Sequence, residues 1–111
     1  MIEKIVFDYL NASMSVKAYM EQPEGESEYV LIQKIGGNKT DQIWSSMLQF
    51  TVVGSSMYRA AFLCDELVRK MDAAPDSLDG IAGAHYGGSY NATFPSDKTY
   101  RYRATYEITH Y

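Results

Sequence analysis

The 111-residue chain predicts an α+β domain, a mostly antiparallel β-sheet with two helices packed on one face, in the order α-β-β-β-α-β-β. Three observations predict it. In the final twelve residues Tyr100, Tyr102, Ala104, Tyr106 and Ile108 share one parity, and Arg101, Arg103, Thr105, Glu107 and Thr109 share the other. A period of two belongs to a strand with one buried and one wet face. Upstream, Met57, Ala60, Ala61, Cys64, Leu67, Val68 and Met71 recur every three or four positions, the stripe of an amphipathic helix. Clusters of Gly, Pro, Asn and Asp cut the remaining apolar sequence into pieces of strand length.

Taken in order, Ile2, Ile5, Val6, Tyr9 and Leu10 lie at helical spacing opposite Glu3, Lys4 and Asp8. This predicts a short helix over 2–11, ended by Asn11, Ala12 and Ser13. Val16, Ala18 and Met20 then alternate with Lys17, Tyr19 and Glu21, a first strand, followed by a Pro/Gly/Glu loop over 22–28. Tyr29 to Ile35 forms a second strand, broken by Gly36, Gly37 and Asn38, residues that reach positive φ at little cost. The connection over 36–42 is entirely polar or glycine and longer than a tight hairpin needs, so it reads as a contact loop.

The third strand, Trp44 to Val53, sets Trp44, Leu48, Phe50 and Val52 on one side and Gln49 and Thr51 on the other. Gly54, Ser55 and Ser56 stop it and offer a hydroxyl cap to the long helix, which is expected to end before Ala74 and Pro75. After a turn over 76–80, Ile81 to Phe94 alternates, with Ala82, Ala84, Tyr86, Tyr90 and Phe94 on one parity. Gly83, Gly87 and Gly88 interrupt it and predict a bulge or bend. Pro95, Ser96 and Asp97 reverse the chain into the last strand as an antiparallel hairpin. Both helices then cover the apolar face, leaving the other face to water or to another subunit.

Composition narrows the function classes. The length suits one domain, and 46% hydrophobic with 22% charged residues is ordinary for a soluble globular protein. A net charge of −4 without a basic run argues against nucleic-acid binding through phosphate neutralisation. The one cysteine, Cys64, allows no internal disulfide and sits on a helix stripe, so it reads as a buried thiol. No apolar stretch approaches a membrane span and no signal peptide opens the chain, so a cytoplasmic location is expected. The acidic cluster Glu21, Glu24, Glu26 and Glu28 reads as a solvated loop. Ten tyrosines suit sheet faces and protein–protein interfaces alike.

The search for chemistry finds little. His85 sits in a Gly/Ala/Tyr strand and His110 is penultimate, with no metal-ligand spacing between them. Gly37, Asn38, Lys39 and Thr40 only superficially suggest a phosphate loop, since the lysine lacks a preceding glycine and a strand follows. No nucleophile elbow occurs. Asp65 and Glu66 point to different sides of their helix and read as solvated surface. The expectation is a protein without catalytic residues, metal or cofactor.

The layout nevertheless has a counterpart. An opening helix containing Ile5, Val6, Phe7, Asp8, Tyr9, Leu10 and Asn11 leads to Glu28 through Gly36, then to Gln49 through Gly54, then to a helix with Ala60, Ala61 and Phe62. The chain closes on the Arg/Tyr-rich strand from Tyr100 to Tyr111. Over nearly its whole length this resembles the small tail-terminator or tail-completion proteins of long non-contractile-tailed bacteriophages and prophages of Gram-positive hosts. The resemblance implies a structural protein forming a ring, typically of six subunits, that caps the head-proximal end of the tail tube. Its implied partners are further copies of itself, the major tail tube protein and the head–tail connector, with DNA passing through without specific binding. It further implies assembly in the bacterial cytoplasm and a final place in the virion tail.

On this reading Gly37, Asn38, Lys39, Thr40 and Asp41 are expected to face the tube or connector. Arg101, Arg103 and Glu107 are expected to lie near a neighbouring subunit. A head-completion adaptor on the portal side is the alternative within the same class. A small ferredoxin-like ligand-binding domain or enzyme, with His85 near its pocket, is the alternative from a different class.

Overall fold

The computed structural model describes residues 1–93 and 99–111. Its elements are α1 (Ile2–Ser13), β1 (Ala18–Tyr19), β2 (Tyr29–Thr40), β3 (Ile43–Gly54), α2 (Met57–Ser77), β4 (Ile81–Asn91) and β5 (Tyr100–His110). The strands form one sheet in the order β1-β2-β3-β5-β4, antiparallel except for the β1–β2 pair. The predicted class and element order hold. β4 and β5 pair as expected; the reversal assigned to Pro95, Ser96 and Asp97, and Phe94 with it, lie outside the described residues.

Strand parity decides the two faces. Leu48, Phe50 and Val52 of β3 stand opposite Tyr106, Ala104 and Tyr102 of β5, and Val30 and Ile32 of β2 extend the same rows. Val6 and Leu10 from α1 and Leu63, Leu67 and Met71 from α2 close over this inner face as one buried cluster. Tyr106 is fully buried and donates from its hydroxyl to Asp72 Oδ1 at 3.0 Å, so a deeply placed ring still satisfies its polar tip. Cys64 is buried and free, and burial pushes its thiol pKa up.

Several local expectations are corrected. β1 is only two residues long and parallel, because the Asn11 side chain takes the place of a strand partner. Its amide donates to Ala18 O and its Oδ1 accepts from Ala18 N. The connection over 36–42 is not an open loop. A register shift between Lys34 and Gly36 absorbs one residue, after which pairing resumes through Thr40 opposite Ile43. Asp41 and Gln42, with φ of 51° and 71°, close a two-residue turn of the kind whose twist matches a hairpin.

α2 runs past Ala74 through Pro75 to Ser77. A proline this near a helix end forfeits a single hydrogen bond, and Leu78 N still donates to Ala74 O. At the other end Ser56 caps the helix as predicted, its Oγ accepting from Arg59 N at 3.1 Å. β4 carries two register shifts, one between Ile81 and Gly83 and a second between Tyr86 and Ser89, where Gly87 and Gly88 predicted a bulge. The second reverses the parity beyond it, so Tyr86 stands opposite Tyr106 on the inner face and Tyr90 opposite Arg103 on the outer one. Gly88, at φ +114°, supplies the conformation that the bulge needs.

Candidate functional site

The outer face is not bare sheet. Two cross-strand rows run over it, Leu31–Thr51–Arg103–Tyr90 and Tyr29–Val53–Arg101. Tyr29, Thr51 and Val53 are all buried although α1 and α2 both lie on the other side. Their cover is the segment after β1, whose Gln22, Pro23, Glu26 and Ser27 form the far wall of a groove of about 670 Å³. Tyr19 supports the near end by meeting Tyr29 edge-on, with ring centroids 6.2 Å apart.

One carboxylate anchors that cover. Glu28 accepts from Arg59 Nε and Nη2, each at 3.0 Å, and from Ser55 N and Oγ at 3.1 and 3.0 Å. The Arg59 guanidinium first, and the Ser55 amide second, hold its pKa at about 2, well below the usual carboxylate value. The expectation that Glu28 belongs to a solvated acidic loop is therefore corrected, while Glu21, Glu24 and Glu26 are exposed. Glu66 stays at the surface and accepts from Ser15 Oγ at 2.7 Å, joining α2 to the segment after α1.

Arg101 and Arg103 both line the groove. Their cross-strand neighbours are uncharged: Val53 faces Arg101, and Thr51 and Tyr90 face Arg103. Among the described residues, Arg103 Nε is buried without a hydrogen-bond partner. Glu107 shares their face and parity but stands opposite Met47 and His85, toward the other end of β5. Gly37, Asn38, Lys39 and Thr40 lie in the distal part of β2 and Asp41 in its turn. The register sets Arg101 beside Val53 and Lys39 beside Trp44, which puts the two groups roughly 30 Å apart along β3 at ~3.3 Å per residue. The expected interface residues thus occupy separate places, not one site.

The hairpin end carries its own cluster. Trp44 stacks on His110 with centroids 6.3 Å apart and planes 10° from parallel. Lys34 and Lys39 set their Nζ atoms 5.7 and 5.1 Å from the indole centre, within cation–π reach. Ser46 Oγ and His110 Nε2 are 2.8 Å apart in the interior, and burial lowers the pKa of this histidine. A hollow lined by Met1, Ile5, Trp44, His110 and Tyr111 opens beside it. His85 stands exposed on the outer face opposite Glu107, and the Arg-lined groove contains no histidine. Among the described residues no three His, Cys, Asp or Glu side chains group as metal ligands would, and no helix is long and apolar enough to cross a membrane.

Sequence reasoning placed Arg101 and Arg103 on an outward face but missed the groove around them. One signal was available. Tyr29, Val30, Leu31 and Ile32 are consecutive apolar residues, a pattern of strands covered on both faces. No protein-family model matches the chain, and no curated protein matches it either.

Proposed function

We propose that the protein is a structural subunit of a bacteriophage tail joint, forming a ring that caps the head-proximal end of the tail tube and ends tube growth. The resemblance of the sequence layout motivates the phage assignment. The structural observation that carries the assembly role is the distribution of exposed apolar side chains. Met1, Ile5, Ile43, Trp44 and Tyr111 gather at the hairpin end. Met57, Tyr58 and Phe62 lie at the start of α2, at the opposite end of the sheet, where Gly54 faces Tyr100. Tyr58 and Phe62 stack with centroids 6.3 Å apart. The domain is 46 Å long and only 24 by 22 Å across, so these patches are well separated.

Two unlike patches at opposite ends suit head-to-tail contact between copies, the kind of interface that closes into rings. The sheet edges add to this. β4 is one edge, and β2 beyond Leu31 is the other, because β1 pairs only with Val30 and Leu31. Their backbone groups are available to a neighbouring chain. In this reading the ring meets the major tail tube protein on one side and the head–tail connector on the other. Its role is assembly and not catalysis.

The test is deletion of the gene from its parent phage or prophage, followed by negative-stain microscopy of the particles. Overlong, headless tubes are the expected result. Tails of normal length beside filled, unjoined heads would move the protein to the head-side adaptor position. Intact virions would overturn the proposal.

A further inference from the structure

We propose that the outer-face groove is a carboxylate-binding site, and that it takes an acidic side chain carried on an extended segment of a partner polypeptide. The inference stands apart from the tail-joint reading. It rests on Arg103 and its surroundings, and either can fail without the other.

The first observation is the buried, unpartnered Nε of Arg103. A guanidinium N–H removed from water and left without an acceptor is destabilising, and native structures keep few such groups without a use for them. Thr51 and Tyr90, which flank Arg103 across the strands, bring no carboxylate to it. The second observation is that Arg101 lines the same groove, two residues away on the same parity. Together they set two guanidinium groups on the floor of the groove. The arginine fork matches the two oxygens of a carboxylate.

The surroundings select among anions. Glu26 lines the opposite wall, so a doubly charged phosphate meets more repulsion here than one carboxylate does. They also select a polypeptide over a free acid. Leu31, Val53 and Tyr29 floor the groove on the β2–β3 side of the arginines and offer apolar contact to the residues flanking an acidic side chain. A groove of about 670 Å³ is far larger than a single carboxylate requires, and a small dicarboxylate has nothing to place against that floor.

The experiment reads the site directly. With ¹⁵N-labelled full-length protein, the Arg103 Nε–Hε resonance is followed during titration with a blocked pentapeptide carrying one glutamate between β-branched residues. Parallel titrations use its glutamine counterpart, glutarate and inorganic phosphate. The expected result is a saturable downfield shift of Hε with the glutamate peptide, with binding about tenfold or more tighter than for the other three probes. Binding to the variants is followed at the backbone amides of Thr51 and Val53, and Arg103→Lys should weaken the peptide by about tenfold through loss of the fork. Arg103→Met should abolish peptide binding at those same amides without lowering the melting temperature, because the unpaired N–H leaves with the guanidinium.

Equal affinity for the glutamine peptide, glutarate or phosphate would overturn the assignment. So would undiminished peptide binding by Arg103→Met, or an Hε resonance that moves with protein concentration alone, which would make a second copy the occupant. Should Arg103→Met fail to fold, the wild-type Hε titration decides the question by itself.

Discussion

The two faces of this sheet are made of the same strands, yet they are built to different rules. On the inner face Val30 and Val52, then Ile32, Phe50 and Ala104, then Leu48 and Tyr106, form cross-strand rows of buried side chains under α1 and α2. On the outer face the same strands carry Gln33, Gln49, Thr51, Arg101, Arg103 and Glu107, and the cover is an irregular segment held by one carboxylate. Close packing makes the first face intolerant of change. The second tolerates polar groups, a groove and an unpaired guanidinium nitrogen because little of the fold's stability is stored there. What is free to evolve toward recognition is the side that the helices leave open.

The contrast is broken most forcefully at neighbouring positions of β3. Phe50→Ala is expected to cost about 3–5 kcal/mol by leaving a cavity under the helices, whereas Gln49→Ala, one residue away, should stay within about 0.5 kcal/mol. Urea unfolding of both variants reads the difference. Near-equal values would mean that the faces are not energetically distinct.

A smaller effect tests the tie between the faces, since Glu28 fastens the outer cover to the start of α2. Its folded pKa, about 2, lies below the ordinary 4.5, so the clamp stabilises fully above pH 4.5 and is lost as pH falls toward 2. Glu28→Gln should therefore destabilise by about 1 kcal/mol at pH 7, a value kept low for solvent screening. The gap from wild type should close as the pH approaches 2, as followed by denaturant unfolding across that range. A gap that does not change with pH would remove the charge-based account.

The smallest effect lies at the hairpin tip, beyond both faces. Gln42 holds φ at 71°, which glycine adopts without strain. Gln42→Gly is expected to raise stability by about 0.5–1 kcal/mol, measured as an upward shift of the melting temperature. A drop would show that the glutamine side chain is used at the tip.

These differences also explain what was legible in the sequence. The inner face announced itself because burial against helices imposes period two on β3 and β5 and a three-to-four stripe on α2. The outer face did not, since its cover depends on contacts such as Glu28 with Ser55 and Arg59, 27 and 31 residues away. Local pattern carries no trace of such a pairing. Tyr90 was placed on the wrong face because glycines predict that a bulge exists, not how many residues it absorbs. Pro75 misled because its penalty depends on how much helix follows it. The groove residues Arg101 and Arg103 were correctly put on one outward parity, and only the wall opposite them was invisible.

The position of β5 has a consequence for how the molecule comes into being. It lies between β3 and β4, although it follows both in the chain. Until it is synthesised, β3 lacks its second neighbour and β4 has no partner among the described strands, and the pairing of Leu48 with Tyr106 must close a loop of more than fifty residues. Such a fold assembles late and as a whole, with a slow, topology-limited step. A nascent chain halted after α2 would present the long β3 edge unpaired, exposed to association with other chains. Rapid delivery of the last strand is thus the kinetic safeguard of this architecture.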